Sequence, residues 1–312
     1  MGDEEHMNKF AAAIVNSFEL YGFVKVINHG LSTPKIEQAF AWSRRFFALP
    51  LETKMKSKHP PKSNPHRGYS YVGQENLSAL TRADRNSPRL YDLKESWDQG
   101  ATDDLENPNL WPEYSDIPGF QEFMEVFFHE CHETEVALLE AVAMGLGLSR
   151  NHFDSMHTDR VNEFRLLHYP EVEVKELQSG INTRASEHTD FGTITLLFQD
   201  SVGGLEVEDQ SQMGVFRPVE AVAPIMVVNI GDCMQRWTNN RLKSACHRVT
   251  IPPRCSDGCD VIDERYSIAF FGKPNRNAEL YPHPLFISID NPSKYEHTTA
   301  GEYNQTRLVK VY

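Results

Sequence analysis

Beyond about residue 160 the chain becomes a succession of short β-rich runs, at 163–169, 188–199, 204–208, 214–219, 224–230, 246–251 and 265–271. Turn residues separate them: Ser179-Gly180, Gly203-Gly204, Asp209, Gly231-Asp232, Asn239-Asn240, Pro252-Pro253 and Ser256-Asp257-Gly258. A parallel α/β sheet needs a helical crossover between neighbouring strands, and no helical pattern intervenes here. Strands this short and this closely spaced argue for an antiparallel sandwich or jelly roll.

The first half of the chain reads differently. Phe10, Ile14 and Phe18 lie four apart within residues 8–20, the spacing of an amphipathic helix. Phe23-Val24-Lys25-Val26-Ile27 reads as a strand ended by Asn28-His29-Gly30. Pro34, after Ser32 and Thr33, marks a helix start, Ile36, Phe40 and Phe47 continue its face, and Pro50 lies just beyond. Residues 60–118 are rich in Pro, Asn, Ser, Asp and Gly and predict a long irregular stretch covering a site. Residues 120–148 carry the longest helical pattern, closed by Gly145 and Gly147. The expected class is mainly β with a helical annex, in one domain spanning 1–312. The helical part covers about 8–150, the jelly-roll core about 160–275 and a C-terminal segment 276–312, with the helices packed outside the sheets.

Charge and cysteine usage narrow the partners. There are 44 acidic and 31 basic side chains, a net charge of −13. Such a field repels a polyanion, so no nucleic-acid partner is expected. No apolar run approaches the roughly 18–20 residues that cross a bilayer, so no membrane is expected either. The start, Met1-Gly2-Asp3-Glu4-Glu5-His6, lacks the basic and apolar stretches of a signal peptide. Cys131, Cys233, Cys246, Cys255 and Cys259 are odd in number and scattered, which points to a reducing, cytoplasmic setting. Cys255 and Cys259 could join Cys246 on zinc, but two free thiols in a loop are the simpler reading.

The histidines supply the chemistry. An oxygenase-type iron site takes two histidines and one carboxylate on one face of the metal, leaving other positions open. On a strand, residues i and i+2 face alike roughly 6–7 Å apart, so His-x-Asp supplies two ligands from one element. That pattern occurs at His152-Phe153-Asp154, His157-Thr158-Asp159 and His188-Thr189-Asp190. The first two lie in a polar segment after a helix, whereas the third runs into the apolar, β-branched stretch 191–198. His188 and Asp190 are therefore the candidates, with His247 at the start of a later strand as the third ligand. Arg265 and Ser267 are again i and i+2, suited to holding a carboxylate. The adjoining Ile268-Ala269-Phe270-Phe271 marks that strand as buried, and a buried arginine needs an anion.

His-x-Asp, a distant His and then Arg-x-Ser resembles the isopenicillin N synthase-like family of 2-oxoglutarate- and iron(II)-dependent dioxygenases, and the wording around His188 and Trp237 resembles its fungal members. The likeness extends through Gly22-Phe23-Val24 to Asn28-His29-Gly30, Arg67-Gly68-Tyr69, Asp92-Leu93-Lys94-Glu95, His168-Tyr169-Pro170, Gly203-Gly204-Leu205-Glu206-Val207, Asn229-Ile230-Gly231-Asp232 and Trp237-Thr238-Asn239. The resemblance implies a double-stranded β-helix fold. It implies Fe(II) held by His188, Asp190 and His247, and 2-oxoglutarate bound by Arg265, Ser267 and the hydroxyl of Tyr169. It also implies oxidation of a small molecule by O2: hydroxylation by default, with desaturation or ring rearrangement as variants. Phe271 matches an aromatic that lines the substrate pocket. Leu167 stands where plant members carry an asparagine, and the opening "P-x-I-D" strand is missing, as in a chain that starts late.

The substrate is expected to be a small secondary metabolite, with Arg184, Phe191, Arg67, Tyr69 and Tyr71 as further candidate contacts and a monomer or weak homodimer as the working form. Two alternatives stay open: an oxidase of the same fold that does not need 2-oxoglutarate, and a non-catalytic metal-binding protein.

Overall fold

The computed structural model describes residues 2–63, 65–81, 90–255 and 258–311. Part of the turn Ser256-Asp257-Gly258 thus lies outside the described residues. Eleven strands build two facing sheets. They are β1 (Phe23–Val26), β2 (Gly68–Ser70), β3 (Glu95–Gln99), β4 (Glu163–Tyr169), β5 (Ala185–His188), β6 (Ile194–Gln199), β7 (Leu205–Glu208), β8 (Phe216–Pro218), β9 (Met226–Ile230), β10 (His247–Val249) and β11 (Arg265–Gly272). The large sheet runs β1-β9-β6-β11-β4-β3-β2 and the small one β8-β7-β10-β5. Every pairing within these two sheets is antiparallel. From β5 to β11 the chain crosses repeatedly between the sheets, which is the winding of a double-stranded β-helix.

Period-two alternation explains why the large sheet has two different faces. Phe164 and Leu166 of β4, Leu196 and Phe198 of β6, and Ile268 and Phe270 of β11 are buried on the outer face. They pack against helices α1 (Gly2–Tyr21), α2 (Thr33–Phe47) and α3 (Phe120–Gly145). Each buried phenylalanine there contributes about 1.5–3 kcal/mol relative to exposure. Where α1 and α3 cross, a Cβ on Gly145 would stand 2.2 Å from the carbonyl oxygen of Ala11, so only glycine fits. Leu167, Tyr169, Ala269, Ala185, Leu205 and Val249 face the other way, into the space between the sheets.

Several sequence expectations change. The run 188–199 is not one strand: β5 stops at His188, and Asp190 lies in the turn before β6. Gly192 sits in that turn because its Cβ would meet the Gly272 carbonyl oxygen at 2.2 Å. Residues 60–118 are not merely irregular, since they contribute β2 and β3 to the large sheet. β3 hides from composition because its polar Glu95 and Asp98 are buried in ion pairs with Lys54 and Arg165. A short helix, Asp232–Trp237, does separate β9 from β10. The C-terminal segment ends in helix α4 (Ala300–Val311), whose Val311 joins the apolar cluster between the sheets. Among the described residues no helix is long and apolar enough to cross a membrane. All five cysteines are free.

Candidate metal centre and the cavity around it

His188 ends β5 and His247 begins β10, and the two are paired across the small sheet with ring centroids 4.3 Å apart. Each ring uses Nδ1 on a backbone carbonyl, His188 on Ser186 at 2.7 Å and His247 on Ala245 at 3.1 Å. With Nδ1–H donating, the Nε2 lone pairs are left pointing inward, the arrangement that orients histidine toward a metal. Burial, and then the neighbouring His247, bring His188 down to about 3, so it is a neutral imidazole at ordinary pH.

Asp190 completes the cluster. Thr195 Oγ1 donates to its Oδ2 at 2.6 Å and Asn229 Nδ2 at 2.7 Å. Its Oδ1 stands 4.0 Å from Nε2 of His188 and 3.8 Å from Nε2 of His247. Burial opposes its ionisation, but the two imidazoles and both hydrogen bonds outweigh that and hold it below the usual carboxylate range. Two imidazole nitrogens and one carboxylate oxygen, all within 4.8 Å of one another, suit a divalent transition metal.

This cluster opens on a cavity between the sheets. The inward residues of two paired strands form one wall: Glu163, Arg165, Leu167 and Tyr169 on β4, and Arg265, Ser267, Ala269 and Phe271 on β11, continued by Lys273. Register sets Arg265 opposite Tyr169 at one end and Phe271 opposite Glu163 at the other.

The Arg265 end is built for an anion. Its guanidinium is 1% exposed, donates to Ser267 Oγ and Gln199 Oε1 at 3.1 Å each, and lies 4.7 Å from the Tyr169 ring centre. Its Nε has no partner, and among the described residues no carboxylate pairs with it. A buried cation left in that state calls for an anionic ligand.

The remaining sequence candidates divide. Phe191 and Phe271 line the cavity. Arg184 does not: Ala185 faces inward and alternation turns Arg184 behind Tyr169, where it donates to the carbonyls of Pro170 and Asp263. Arg67 is also outside this cavity, committed to Asp104, the Asn107 carbonyl and the His66 carbonyl. Tyr69 faces the helices, where its hydroxyl meets Glu95 at 2.5 Å and its ring lies 6.1 Å from Phe46. Tyr71 is exposed.

Sequence reasoning missed the opposite end of the wall, where His66, Lys94, Glu163, Arg165 and Lys273 line the cavity. The alternation Glu163, Arg165, Leu167, Tyr169 was the available signal, because an inward-facing tyrosine implies inward-facing charges four and six positions earlier. His66, Glu75 and Asp98 form a second cluster of metal-ligand types, yet Arg165 bridges both carboxylates and Lys94 adds a cation on Glu75. That cluster is already neutralised by the protein.

A family model described as the 2OG-Fe(II) oxygenase superfamily matches residues 160–274, and one described as non-haem dioxygenase in morphine synthesis N-terminal matches residues 1–114. The 2-oxoglutarate-dependent dioxygenase frbA of Dothideomycetidae sp. (strain 11243) is 47% identical over 317 residues, covering 100% of this chain and 94% of that one. The chain belongs to the 2-oxoglutarate- and iron(II)-dependent oxygenases. The proline hydroxylase buaE of Petromyces alliaceus is also 47% identical, covering 93% of this chain and 90% of its own. A full-length Neurospora crassa protein crystallised in complex with alpha-KG matches with a TM-score of 0.88 and 37% identity, covering 99% of this chain and 92% of that one. This oxygenase has the jelly-roll fold of its relatives and is an oxidoreductase that uses Fe(II), 2-oxoglutarate and O2.

Proposed function

We propose that residues 1–312 act as one catalytic unit in which His188, Asp190 and His247 hold the iron. Arg265 and Ser267 take the far carboxylate of 2-oxoglutarate, with Tyr169 beside them. The observation that carries this reading is Arg265: a buried guanidinium without a carboxylate partner among the described residues, in the same cavity as a cluster of three metal-ligand side chains. The bound iron and co-substrate supply the oxidation, consuming O2 and 2-oxoglutarate, releasing succinate and CO2, and leaving one oxygen atom on a hydroxylated substrate.

The protein's own contribution is positional. The backbone carbonyls of Ser186 and Ala245 fix the imidazoles, Thr195 and Asn229 fix the carboxylate, and Arg265 fixes the far end of the co-substrate. Phe191, Phe271 and Val311 supply apolar cover that keeps bulk water from the substrate.

The substrate is a small molecule of secondary metabolism, in line with the fungal relatives. Two of those relatives point to different chemistries: a proline hydroxylase at 47% identity, and the Neurospora crassa protein, crystallised also with alpha-KG and thymine, at 36% identity. Free thiols and the net charge of −13 support a cytoplasmic protein, a monomer or weak homodimer, with no nucleic-acid partner. The test is stoichiometry. Purified protein given Fe(II) and 2-oxoglutarate should form succinate, with Fe(II) omission abolishing it. O2 consumption with no need for 2-oxoglutarate would overturn the co-substrate assignment.

A further inference from the structure

The two ends of the β4–β11 wall differ in what they can hold. Phe271 is in register with both Glu163 on β4 and Thr195 on β6, and Thr195 donates to Asp190. The Glu163 end therefore lies beside the metal-ligand cluster, with Arg265 at the other end of the ladder.

Charge at this end is arranged in two adjacent patches. Lys94 and Arg165 both bond to Oε2 of Glu75, Arg165 at 3.1 Å, so their cationic ends converge. Arg165 also bonds Asp98 at 2.5 Å. Lys94 and Arg165 line the cavity, whereas Glu75 and Asp98 stand behind them. The second patch is the Glu163 carboxylate, with Lys273 at 2.6 Å. His66 joins the patches: its Nδ1 is 3.3 Å from Glu75, and its backbone N–H donates to Glu163 at 3.2 Å. Burial, and then Arg165, hold His66 well below its ordinary value, so the ring is neutral and adds no third charge. All five residues are less than a tenth exposed.

A wall with converging cations beside a carboxylate discriminates by charge pattern. Each patch is internally ion-paired and close to neutral, so a simple anion finds N–H donors on Lys94 and Arg165 but adds an uncompensated negative charge beside Glu75, Asp98 and Glu163. A simple cation meets the reverse. An uncharged ring leaves every charge with weaker partners than the water it displaces. We propose that this wall is the substrate-recognition site for a zwitterion, a free α-amino or α-imino acid whose carboxylate lies on Lys94 and Arg165 and whose ammonium group lies on Glu163. Its hydrocarbon part then lies against Phe191 and Phe271, the first next to Asp190 in the chain and the second in register with Thr195, with Val311 also lining the cavity. This rests on the oxygenase reading for the reaction, though not for binding.

The test is anaerobic calorimetry on the protein with Fe(II) and 2-oxoglutarate, titrated with the free protein amino acids, the N-acetyl and carboxamide derivatives of each binder, and thymine. At least one free amino acid should bind, and blocking either its amine or its acid should weaken it about 10- to 100-fold. Glu163→Gln, checked for fold by near-ultraviolet circular dichroism, should weaken the free amino acid and narrow its lead over the N-acetyl form. Tighter binding of thymine or of an N-acetyl acid, or no binding by any free amino acid, overturns the proposal. Absence of Fe(II)- and 2-oxoglutarate-dependent succinate would instead strike the reaction assignment, while the calorimetric comparison would still test the wall.

Discussion

Oδ1 of Asp190 lies 3.8 Å from Nε2 of His247, while the other oxygen of the same carboxylate accepts from Thr195 and Asn229. One oxygen is thus committed to the scaffold and the other faces the two imidazoles. The carboxylate is oriented by side chains of two adjacent inner strands of the large sheet, β6 and β9.

Removing one of those supports should therefore loosen the metal without disturbing the fold. Thr195→Val nearly conserves volume and leaves Asn229 in place. Partners of this kind are worth about 10- to 100-fold in metal affinity. Competition against a chromophoric chelator should show Fe(II) binding weakened within that range, with the urea midpoint little changed. Unaltered affinity would mean that Thr195 does not orient Asp190.

Arg265→Ala separates co-substrate from metal. Truncating one partner of a buried, hydrogen-bonded charge pair costs about 2–5 kcal/mol. The KM for 2-oxoglutarate should rise about 30-fold or more, while Fe(II) affinity stays within about twofold, since Arg265 bonds Ser267 and Gln199 and none of the three metal-ligand side chains. Equal loss of both would contradict the assignment.

Most of the architecture was legible because alternation and turn residues are local signals. The strands at 163–169 and 265–271 are recovered as Glu163–Tyr169 and Arg265–Gly272. Asp190 does not obey the i, i+2 strand spacing that points to it, since the strand breaks at His188 and the carboxylate is delivered by a turn. That turn depends on a contact between Gly192 and Gly272, which no local pattern announces. Arg67 and Arg184 misled because an arginine near a motif looks free in sequence, whereas both are tied to backbone carbonyls. The charged wall stayed hidden for the opposite reason: Glu75, Lys94 and Arg165 are distant in the chain, β3–β4 pairing sets Asp98 opposite Arg165, and Glu75 reaches Arg165 and Lys94 from a loop.

Glu163 gives the fold a defined acid sensitivity. Burial alone would raise its carboxyl; Lys273 foremost, with Arg67 beside it, overrides burial and brings it to about 2 from an ordinary 4.5. A depressed carboxyl stabilises the fold above its unfolded value and loses that contribution as pH falls toward the folded value. Between pH 4.5 and about 2, wild-type stability should therefore fall more steeply than that of Glu163→Gln. Urea midpoints across that range check it, and parallel slopes would refute it.

Gly192→Ala should damage the metal turn and the fold together. The added methyl would sit 2.2 Å from a backbone oxygen, and backbone cannot swing aside as a side chain can. Overpacking of this sort costs about 1–3 kcal/mol. A lowered urea midpoint with weakened Fe(II) binding is the expected pair of results; a neutral substitution would show that the turn is looser than its geometry.

His188, Asp190 and His247 are assigned to iron, and Arg265 to bringing 2-oxoglutarate to it. Anaerobic addition of Fe(II) and 2-oxoglutarate, followed by visible absorption, tests both at once. Wild-type protein should develop a metal-to-ligand charge-transfer band, absent from His188→Ala and His247→Ala and needing far more 2-oxoglutarate in Arg265→Ala. A wild-type protein that binds Fe(II) yet shows no band at saturating 2-oxoglutarate would mean that these residues do not bring the two together.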